Sequence, residues 1–370
     1  MNFRKRTLTI IITAILLISI VSVIPVSVLG GTESSGTGTF QIANQAPSVT
    51  SFHWEDTTGN TVTGEIGFTP NTEYWLIIDV SDSNSIDDIV EIKVQFFYDT
   101  SNAAVGTPPT SVSKQQYVIL KYTRSAGTGT AGVWKFYDES DNELGTTYGS
   151  WSITDKEDPT DWTLTSGTFK VKIKIGKVAH EANTGNSDDW DCIITAKDSQ
   201  GDTGSNQAYG YKINWYGEIT VIDTSFDFGT VNLDSENNQL STPADKNVDL
   251  KVVANGNYNI NVKASDSTGS NDYWVGDTYG KHATIVKNNP DSGQIRLKVD
   301  SDGTPNSNDE VVINPQSLDY NSWLTGQSGP TNDDEDGGQV HQAYLYLDVG
   351  PGGLLKDTYR GKVYFQVENG

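Results

Sequence analysis

Apolar and polar residues alternate along most of the chain after residue 47, and this alternation predicts β-strands. The clearest case is Phe169–Ile175, where Phe, Val and Ile occupy every second position and lysines fill the positions between them. Successive side chains of a strand point to opposite faces, so one face should meet a core and the other water. Further strands are predicted at Tyr74–Ile78, Val90–Tyr98, Tyr117–Tyr122, Val133–Tyr137, Cys192–Ala196 and Ala208–Asn214.

A second series of strands follows Tyr216 and Gly217, where we place a domain boundary. No window carries a 3.6-residue apolar period over three turns, so short strands at short spacing predict an all-β sandwich or barrel in each half, residues 47–217 and 218–370. The second series is predicted at Glu218–Asp223, Phe226–Val231, Val248–Val253, Tyr258–Ala264 and Ile295–Val299, with a last hairpin pairing Ala343–Val349 with Tyr359–Val367.

Residues 1–30 have the pattern of an export signal. A basic start at positions 4–6 precedes the apolar run Leu8–Ile24, and Val28–Gly30 supplies a cleavage site after Gly30. A cleaved signal peptide is the first expectation. The apolar run is longer than most signal cores, so an uncleaved membrane anchor is the alternative, and the only route by which we expect contact with a membrane. In both cases the rest of the chain is predicted to be extracellular or at the cell surface.

The mature chain is strongly acidic. The formal net charge is −23, and removal of the leader takes away three positive charges, which gives −26. This excess disfavours nucleic acid and anionic lipid as partners and favours divalent cations. The single cysteine, Cys192, cannot form an internal disulfide, so the fold must depend on hydrophobic burial, with calcium as a further aid.

Three acidic loops predict calcium sites, because carboxylate and amide oxygens are the ligands that calcium prefers. The alternative for each loop is a solvated acidic turn. No other cofactor is predicted. The candidate ligands are Asp82, Asn84, Asp87 and Asp88 in the first loop, Asp300, Asp302 and Asp309 in the second, and Asp333, Asp334 and Asp336 in the third.

Residues 31–46 form a Gly-, Ser- and Thr-rich segment with one short apolar stretch. A flexible linker is the plain interpretation. The sharper one is a donor strand, because Phe40 and Ile42 are two residues apart and would present one apolar face to the sheet of a neighbouring subunit.

The motifs of enzymes are weak in this sequence, and we predict no enzyme. The four histidines, His53, His180, His282 and His341, have no zinc-type spacing. Asp202-Thr203-Gly204-Ser205 matches the short motif of aspartic proteases but falls where the first half needs a turn. A glycosidase or a carbohydrate-binding module would need an exposed aromatic surface. We instead expect most of the tryptophans Trp54, Trp75, Trp134, Trp151, Trp162 and Trp190 to pack in the core.

Several segments resemble immunoglobulin-like modules of archaeal and bacterial cell-surface, envelope and filament proteins. The similar segments are Asn71–Tyr98, Ala196–Asn206, Asp227–Val231, Ala254–Asp266 and Asp357–Val367. The resemblance implies two tandem immunoglobulin-like β-sandwich domains after the signal peptide, located outside the cell, and it carries over no catalytic residue.

The leading hypothesis is therefore a non-catalytic structural or adhesive cell-surface protein. Such a protein would assemble through its β-edges into a filament or surface layer. Its expected partners are other copies of itself or other surface proteins. A carbohydrate-binding module or adhesin with polysaccharide as its partner is the second hypothesis, and a secreted hydrolase is the third.

Overall fold

The computed structural model describes residues 37–64, 66–101, 104–182, 188–305, 310–331 and 338–370. The chain divides into two units, Met1–Ala43 and Asn44–Gly370, of which the second is described below. The predicted leader lies outside the described residues. Residues 37–43 contain no regular secondary structure.

The described residues are all-β, as the alternation predicted, with one short 3₁₀ turn at Ile86–Asp88 and no α-helix. The strands of the first half are β1 Ser48–Asp56, β2 Glu73–Ser81, β3 Ile89–Asp99, β4 Tyr117–Thr123, β5 Val133–Tyr137, β6 Glu143–Gly145, β7 Thr147–Tyr148, β8 Trp151–Glu157, β9 Ser166–Lys174, β10 Asp189–Asp198 and β11 Thr203–Tyr211.

The strands of the second half complete the fold. They are β12 Gly217–Val221, β13 Ser235–Gln239, β14 Val248–Ala254, β15 Tyr258–Asp266, β16 Tyr273–Gly276, β17 His282–Ile285, β18 Gln294–Asp300, β19 Val311–Val312, β20 Asn314–Pro315, β21 Asn321–Gln327, β22 Gln339–Val349 and β23 Tyr359–Asn369.

The first half contains two sheets that share one hydrophobic core. One sheet has the order β1-β2-β9-β8-β7 and the other the order β11-β10-β3-β4-β5-β6. Phe169, Val171 and Ile173 of β9 are buried in that core with side chains from both sheets, as the alternation predicted. The lysines between them are partly exposed, and Lys172 lies over the ring of Trp75 at 4.7 Å. Burying one face of each sheet against the other is what stabilises this half.

The second half contains one twelve-stranded sheet with its own core. Its strands follow the order β12-β14-β22-β18-β17-β16-β23-β15-β20, with β13, β19 and β21 paired off this path. The buried core includes Leu250, Ile260, Val262, Leu297 and Leu345. These residues form a hydrophobic cluster separate from that of the first half.

Buried Asn255 joins the two halves through hydrogen bonds. Its Nδ2 donates to the carbonyls of Ala179 and Asn214, at 2.9 Å each, and its Oδ1 accepts the Tyr216 amide at 2.6 Å. Its own carbonyl accepts the Glu181 amide at 2.9 Å. Because each polar group of this side chain has a partner, its burial between the halves is tolerated.

The predicted strand at Phe226–Val231 was wrong. Asp227 forms only an isolated bridge, and its Oδ1 accepts the Gly229 amide at 2.8 Å. Gly229 has φ +72°, in the left-handed region, so the chain turns instead of extending. The aromatic ring of Phe228 packs near Trp274, with ring centroids 6.3 Å apart. The apolar residues thus serve the core without joining a sheet.

The predicted last hairpin was also wrong, although both of its strands exist. Strand β22 pairs with β13, β14 and β18, whereas β23 pairs with β15 and β16. The connection between them crosses the fold. At its start the Gly350 amide donates to the carbonyl of Gln294, the first residue of β18. At its end the Thr358 carbonyl accepts the amide of Asp277, the residue after β16.

Candidate metal centres

Three carboxylates converge at one end of the first half. Asp82 follows β2, Asp88 ends the 3₁₀ turn and Asp198 ends β10. One oxygen of each lies within 4.8 Å of the oxygens of the other two. The ladder between β3 and β10 explains the proximity, because Asp198 lies opposite Ile89, the residue after Asp88. The sequence predicted Asp82 and Asp88 as ligands but not Asp198, which ends a strand that is distant in the sequence.

Hydrogen bonds within the β10–β11 turn orient two of these carboxylates. Oδ1 of Asp198 accepts the amides of Gln200 and Asp202, at 2.9 Å each. Oδ1 of Asp88 accepts the hydroxyl of Ser199. The acidic side chains are therefore held in defined positions by the turn that follows β10.

Asp82 has a buried oxygen that no donor reaches. Its side chain is only 1% exposed, and while Oδ1 accepts the Asn84 amide at 2.7 Å, Oδ2 has no hydrogen-bond partner. Burial raises the pKa of Asp82. The amides of Asn84 and Ser85 oppose this rise, and the charges of Asp88 and Asp198 add to it. A buried carboxylate that has an unpartnered oxygen and lies beside two more carboxylates is the environment of a cation ligand.

The residues that lead into β1 contact the same loops. The Asn44 side-chain amide donates to Asp198 Oδ2 at 2.7 Å and to Asp202 Oδ2 at 2.9 Å. The Gln45 backbone amide donates to Oδ1 of Asn84, a predicted ligand, at 2.8 Å. Asn84 thus connects the start of the compact unit to the acidic loop.

Asp87 was predicted as a ligand, but it does not join the three converging carboxylates. Its Oδ1 accepts hydrogen bonds from Nη2 of Arg124 and, at 2.9 Å, from the Gly129 amide. Burial alone would raise the pKa of Asp87, but these two donors and the charge of Arg124 outweigh it, so the pKa is lowered. Asp87 is therefore one half of an ion pair.

Arg124 fixes the 3₁₀ turn that carries Asp87. Its side chain is 1% exposed. Nη1 donates to the carbonyls of Asp87 and Ile89 at 3.0 and 3.2 Å, and Nε donates to the Thr130 carbonyl at 2.9 Å. The guanidinium also lies 4.0 Å from the ring centroid of Trp162. One arginine thereby holds the backbone on both sides of Asp88.

The second predicted loop does not form a converging group within the described residues. Oδ1 of Asp300 accepts the Asp302 amide at 2.9 Å, and Oδ1 of Asp302 accepts the Thr304 amide at 2.8 Å, which are the bonds of an acidic turn. The remaining predicted ligands, Asp309, Asp333, Asp334 and Asp336, lie outside the described residues.

A second group of three carboxylates lies at the other end of the β3–β10 pair. Asp99 ends β3 and lies opposite Asp189, the first residue of β10, and Asp191 follows two residues later. One oxygen of each again lies within 4.8 Å of the others. The 11 residues of β3, at about 3.3 Å each, separate the two groups by roughly 30 Å. The sequence predicted none of these three residues as ligands.

The second group is more deeply buried than the first. Asp189 and Asp191 are 0% exposed, and neither oxygen of Asp189 nor Oδ1 of Asp191 has a hydrogen-bond partner. Oδ2 of Asp191 accepts the Gly106 amide. Burial raises the pKa of Asp189 to about 6 and that of Asp191 to about 7, and the charge of Asp99 adds to both. The Gly210 amide, close to Asp189 but outside hydrogen-bonding geometry, opposes the rise only in part.

Residues 104–112 of the segment after β3 cover these carboxylates on the outer face of the sheet. Val105 and Val112 pack against the small hydrophobic cluster around Phe97 on that face. A Cβ atom on Gly106 would lie 2.6 Å from Cγ of Asp99, so only glycine lets the backbone approach the carboxylate so closely. This cover explains how acidic residues on an outward face become buried.

The proposed donor residues are open to solvent. Phe40 is 89% exposed and Ile42 is 72% exposed. They belong to the described part of Met1–Ala43 and form no strand in the single chain. Large apolar side chains at this exposure are available for contact with another molecule.

The tryptophan rings serve packing. Seven are buried, and Trp75 and Trp215 are half-buried, so none of the nine presents an open ring of the kind that stacks on sugars.

Asp202 of the protease-like motif is exposed in the β10–β11 turn, as predicted. The four histidines lie on separate elements, outside both acidic groups. A groove of about 580 Å³ has no carboxylate in its lining, which consists of Ser301, Leu324, Gln327, Val340, His341 and Gln342.

The comparisons with known proteins give little beyond this geometry. No protein-family model matches the chain, and no curated protein matches it. One similar solved chain comes from a structure described as a chaperone–tip adhesin complex vital for the activation of CFA/I fimbriae biogenesis. It is 10% identical, the match covers 80% of this chain and 90% of that chain, and the TM-score is 0.25. Likeness at this level carries no argument about function. Across the described residues, no helix has the length and apolarity needed to cross a membrane.

Proposed function

We propose that this chain is an exported, non-catalytic structural or adhesive protein of the cell surface that assembles through its sheet edges. In this proposal the leader directs export, and the two halves are tandem immunoglobulin-like sandwich domains. One observation carries the assembly proposal, namely that β11 is a long edge strand without a charged residue. An edge of this kind offers unpaired backbone groups to another strand.

The other outer strands of the same two sheets are protected where β11 is not. Strand β11 pairs with β10 and with no second strand of the described residues, and its nine residues contain neither charge nor proline. Strand β1 carries His53, Glu55 and Asp56, and β6 and β7 are three and two residues long. The start of β11 lies close to β1, where Asn206 donates to the Val49 carbonyl at 3.1 Å. Directly after its other end, the Lys212 carbonyl accepts the Phe68 amide at 2.7 Å. The open part of the edge is therefore the stretch between these two contacts, around the exposed Tyr209.

The exposed segment around Phe40 is the proposed donor for this edge. Phe40 and Ile42 alternate as the apolar positions of an added strand do, and both are solvent-exposed in the single chain. We propose that this segment of one copy pairs with β11 of the next. Strand addition of this type obtains affinity from backbone hydrogen bonds and specificity from alternate side chains.

The test is the assembly state of the mature chain, residues 31–370, by electron microscopy and light scattering. Wild-type protein should form concentration-dependent oligomers or fibres. The double variant Phe40→Ser/Ile42→Ser and the edge variant Gln207→Lys should stay monomeric with unchanged melting temperatures. Ser140→Lys, which adds the same charge at an exposed turn, is the matched control and should assemble normally. A wild type that is monomeric at all concentrations refutes the proposal, as do variants that assemble like wild type.

We also propose a calcium ion at Asp82, Asp88 and Asp198. Three hard oxygen ligands converge there, and the buried Oδ2 of Asp82 has no other partner. Calorimetric titration with calcium should show one binding equivalent fewer for Asp82→Asn than for wild type. Asp161→Asn, at an exposed carboxylate bonded only within its own turn to Thr163, should bind as wild type does. Equal stoichiometry in Asp82→Asn and wild type would exclude this site.

A further inference from the structure

We infer that Asp99, Asp189 and Asp191 form a second divalent-cation site, of the calcium type, that fastens the segment after β3 to the outer face of the sheet. The site is independent of the proposed assembly, since it lies within one chain. Its basis is geometric: three carboxylate oxygens converge within 4.8 Å, and two of the three residues are 0% exposed.

The charges around this group require a cation or bound protons. Asp189 has two oxygens without any donor, and Asp191 has one. The neighbouring Asp188 adds a further negative charge, with Oδ2 accepting the Tyr98 hydroxyl at 3.0 Å and Oδ1 unpartnered. The charged neighbours that act on Asp189 most strongly, Asp99 and Asp188, are both anionic. Buried carboxylates without counter-charges are strongly unfavourable, so a bound cation should stabilise this group in its ionised form.

The donor set selects the kind of cation. The three side chains present carboxylate oxygens, which suit calcium or magnesium and not the softer metals that histidine and cysteine bind. Calcium accepts six to eight oxygens in a flexible arrangement, and three carboxylates with one or more waters can supply them. Magnesium retains several waters in a tight octahedron, and the covered position of this group leaves less room for them.

The cover segment is joined directly to two of the three ligands. The Gly106 amide donates to Oδ2 of Asp191, and the Gly106 backbone rests against the carboxyl group of Asp99. A cation that fixes these carboxylates therefore also fixes the backbone at Gly106. Without the cation, repulsion among the carboxylates should loosen this contact.

The test uses the full mature chain after treatment with a chelator. Calcium titration by calorimetry compares wild type with Asp189→Asn, Asp82→Asn and the double variant. Each single variant should lose one binding equivalent relative to wild type, and the double variant should lose two. In chelator, Asp189→Asn should melt at a higher temperature than wild type because it removes a buried repulsive charge, and it should gain less from added calcium. Magnesium at the same concentration should be a weaker ligand.

Hydrogen exchange gives a second, independent readout. Calcium should slow exchange of the Gly106 amide in wild type at least tenfold, and Asp82→Asn should retain this protection while Asp189→Asn loses it. Unchanged exchange at Gly106 on adding calcium to wild type would overturn the inference. So would an undiminished number of binding equivalents in Asp189→Asn. Neither readout depends on assembly, so failure here and failure of the proposed function can be told apart.

Discussion

Arg124 offers the sharpest test of how the fold positions the first acidic group. Replacing it with methionine keeps most of the side-chain volume and removes every hydrogen bond of the guanidinium. The carbonyls of Asp87, Ile89 and Thr130 lose a donor, and the Asp87 carboxylate loses its counter-charge. Because Arg124 is 1% exposed, water cannot replace these bonds without opening the turn.

The expected cost follows from the burial of the pair. Removing one partner of a buried ion pair costs about 3–5 kcal/mol. Asp87 is 24% exposed, so the lower end, about 3 kcal/mol, applies. If the first half, residues 47–217, unfolds as one cooperative unit, this corresponds to a melting temperature lower by about 6–12 °C. The calcium affinity proposed for Asp82, Asp88 and Asp198 should fall by about tenfold or more, as it does when residues that orient metal ligands are removed.

Calorimetry of thermal unfolding and calcium titration measure these two effects. Arg124→Lys keeps the charge but lacks the planar fork that reaches several carbonyls, so it should restore only part of the stability. Lys135→Met breaks the exposed pair with Glu143, at 2.6 Å, and should leave the melting temperature unchanged within error. This role of Arg124 would be contradicted by an Arg124→Met variant that melts like wild type. An Arg124→Lys variant indistinguishable from wild type in both measurements would contradict it as well.

Three further predictions concern the core and the second acidic group. The raised pKa values of Asp189 and Asp191 mean that the folded chain binds more protons than the unfolded chain between pH of about 4 and 7. In chelator, the stability of wild type relative to Asp189→Asn should therefore fall as pH rises through this range, and calcium should restore it at neutral pH. A melting temperature of wild type that rises relative to that of Asp189→Asn over this pH range would contradict this. Ile173→Ala should cost about 2–5 kcal/mol in urea unfolding, whereas Lys170→Ala should cost under about 1 kcal/mol; similar costs would contradict the assigned faces of β9. Burial raises the pKa of Cys192, so its thiol should react with a thiol reagent only at the rate of unfolding, and fast labelling of folded protein would place it elsewhere.

The all-β character and most strands could be predicted because burial on one face leaves a local pattern. The alternation at Phe169–Ile175 identified β9, and its apolar positions are in the core. The strand predicted at Phe226–Val231 was wrong for a local reason. The prediction followed the apolar residues of this segment, whereas Gly229 places a turn in it. The wrong hairpin between β22 and β23 has a non-local cause. Adjacent strands in the sequence need not pair, and nothing in either strand states which sheet position it takes.

The candidate sites also combine a local part, which the sequence predicted, with a non-local part that depends on strand pairing. Asp82 and Asp88 share one loop, so their proximity could be read from the sequence, whereas Asp198 joins them only through the pairing of β3 with β10. Asp189 and Asp191 were harder to predict as site residues from the sequence. They occupy the outward positions of β10, where acidic residues are ordinarily solvated and need no explanation.

What changes their chemistry is a segment distant from β10 in sequence. The cover that follows β3 removes water from the outer face, and its Gly106 comes into contact with the carboxylates of both strands. An alternating pattern records which face of a strand meets the main core, but it does not record a second, smaller burial on the opposite face. Two acidic residues at alternate positions of one strand therefore indicate a buried acidic group only when an apolar residue follows them on the same face of that strand. In β10 the partly buried Ile193 does so, directly after Asp191 on that face.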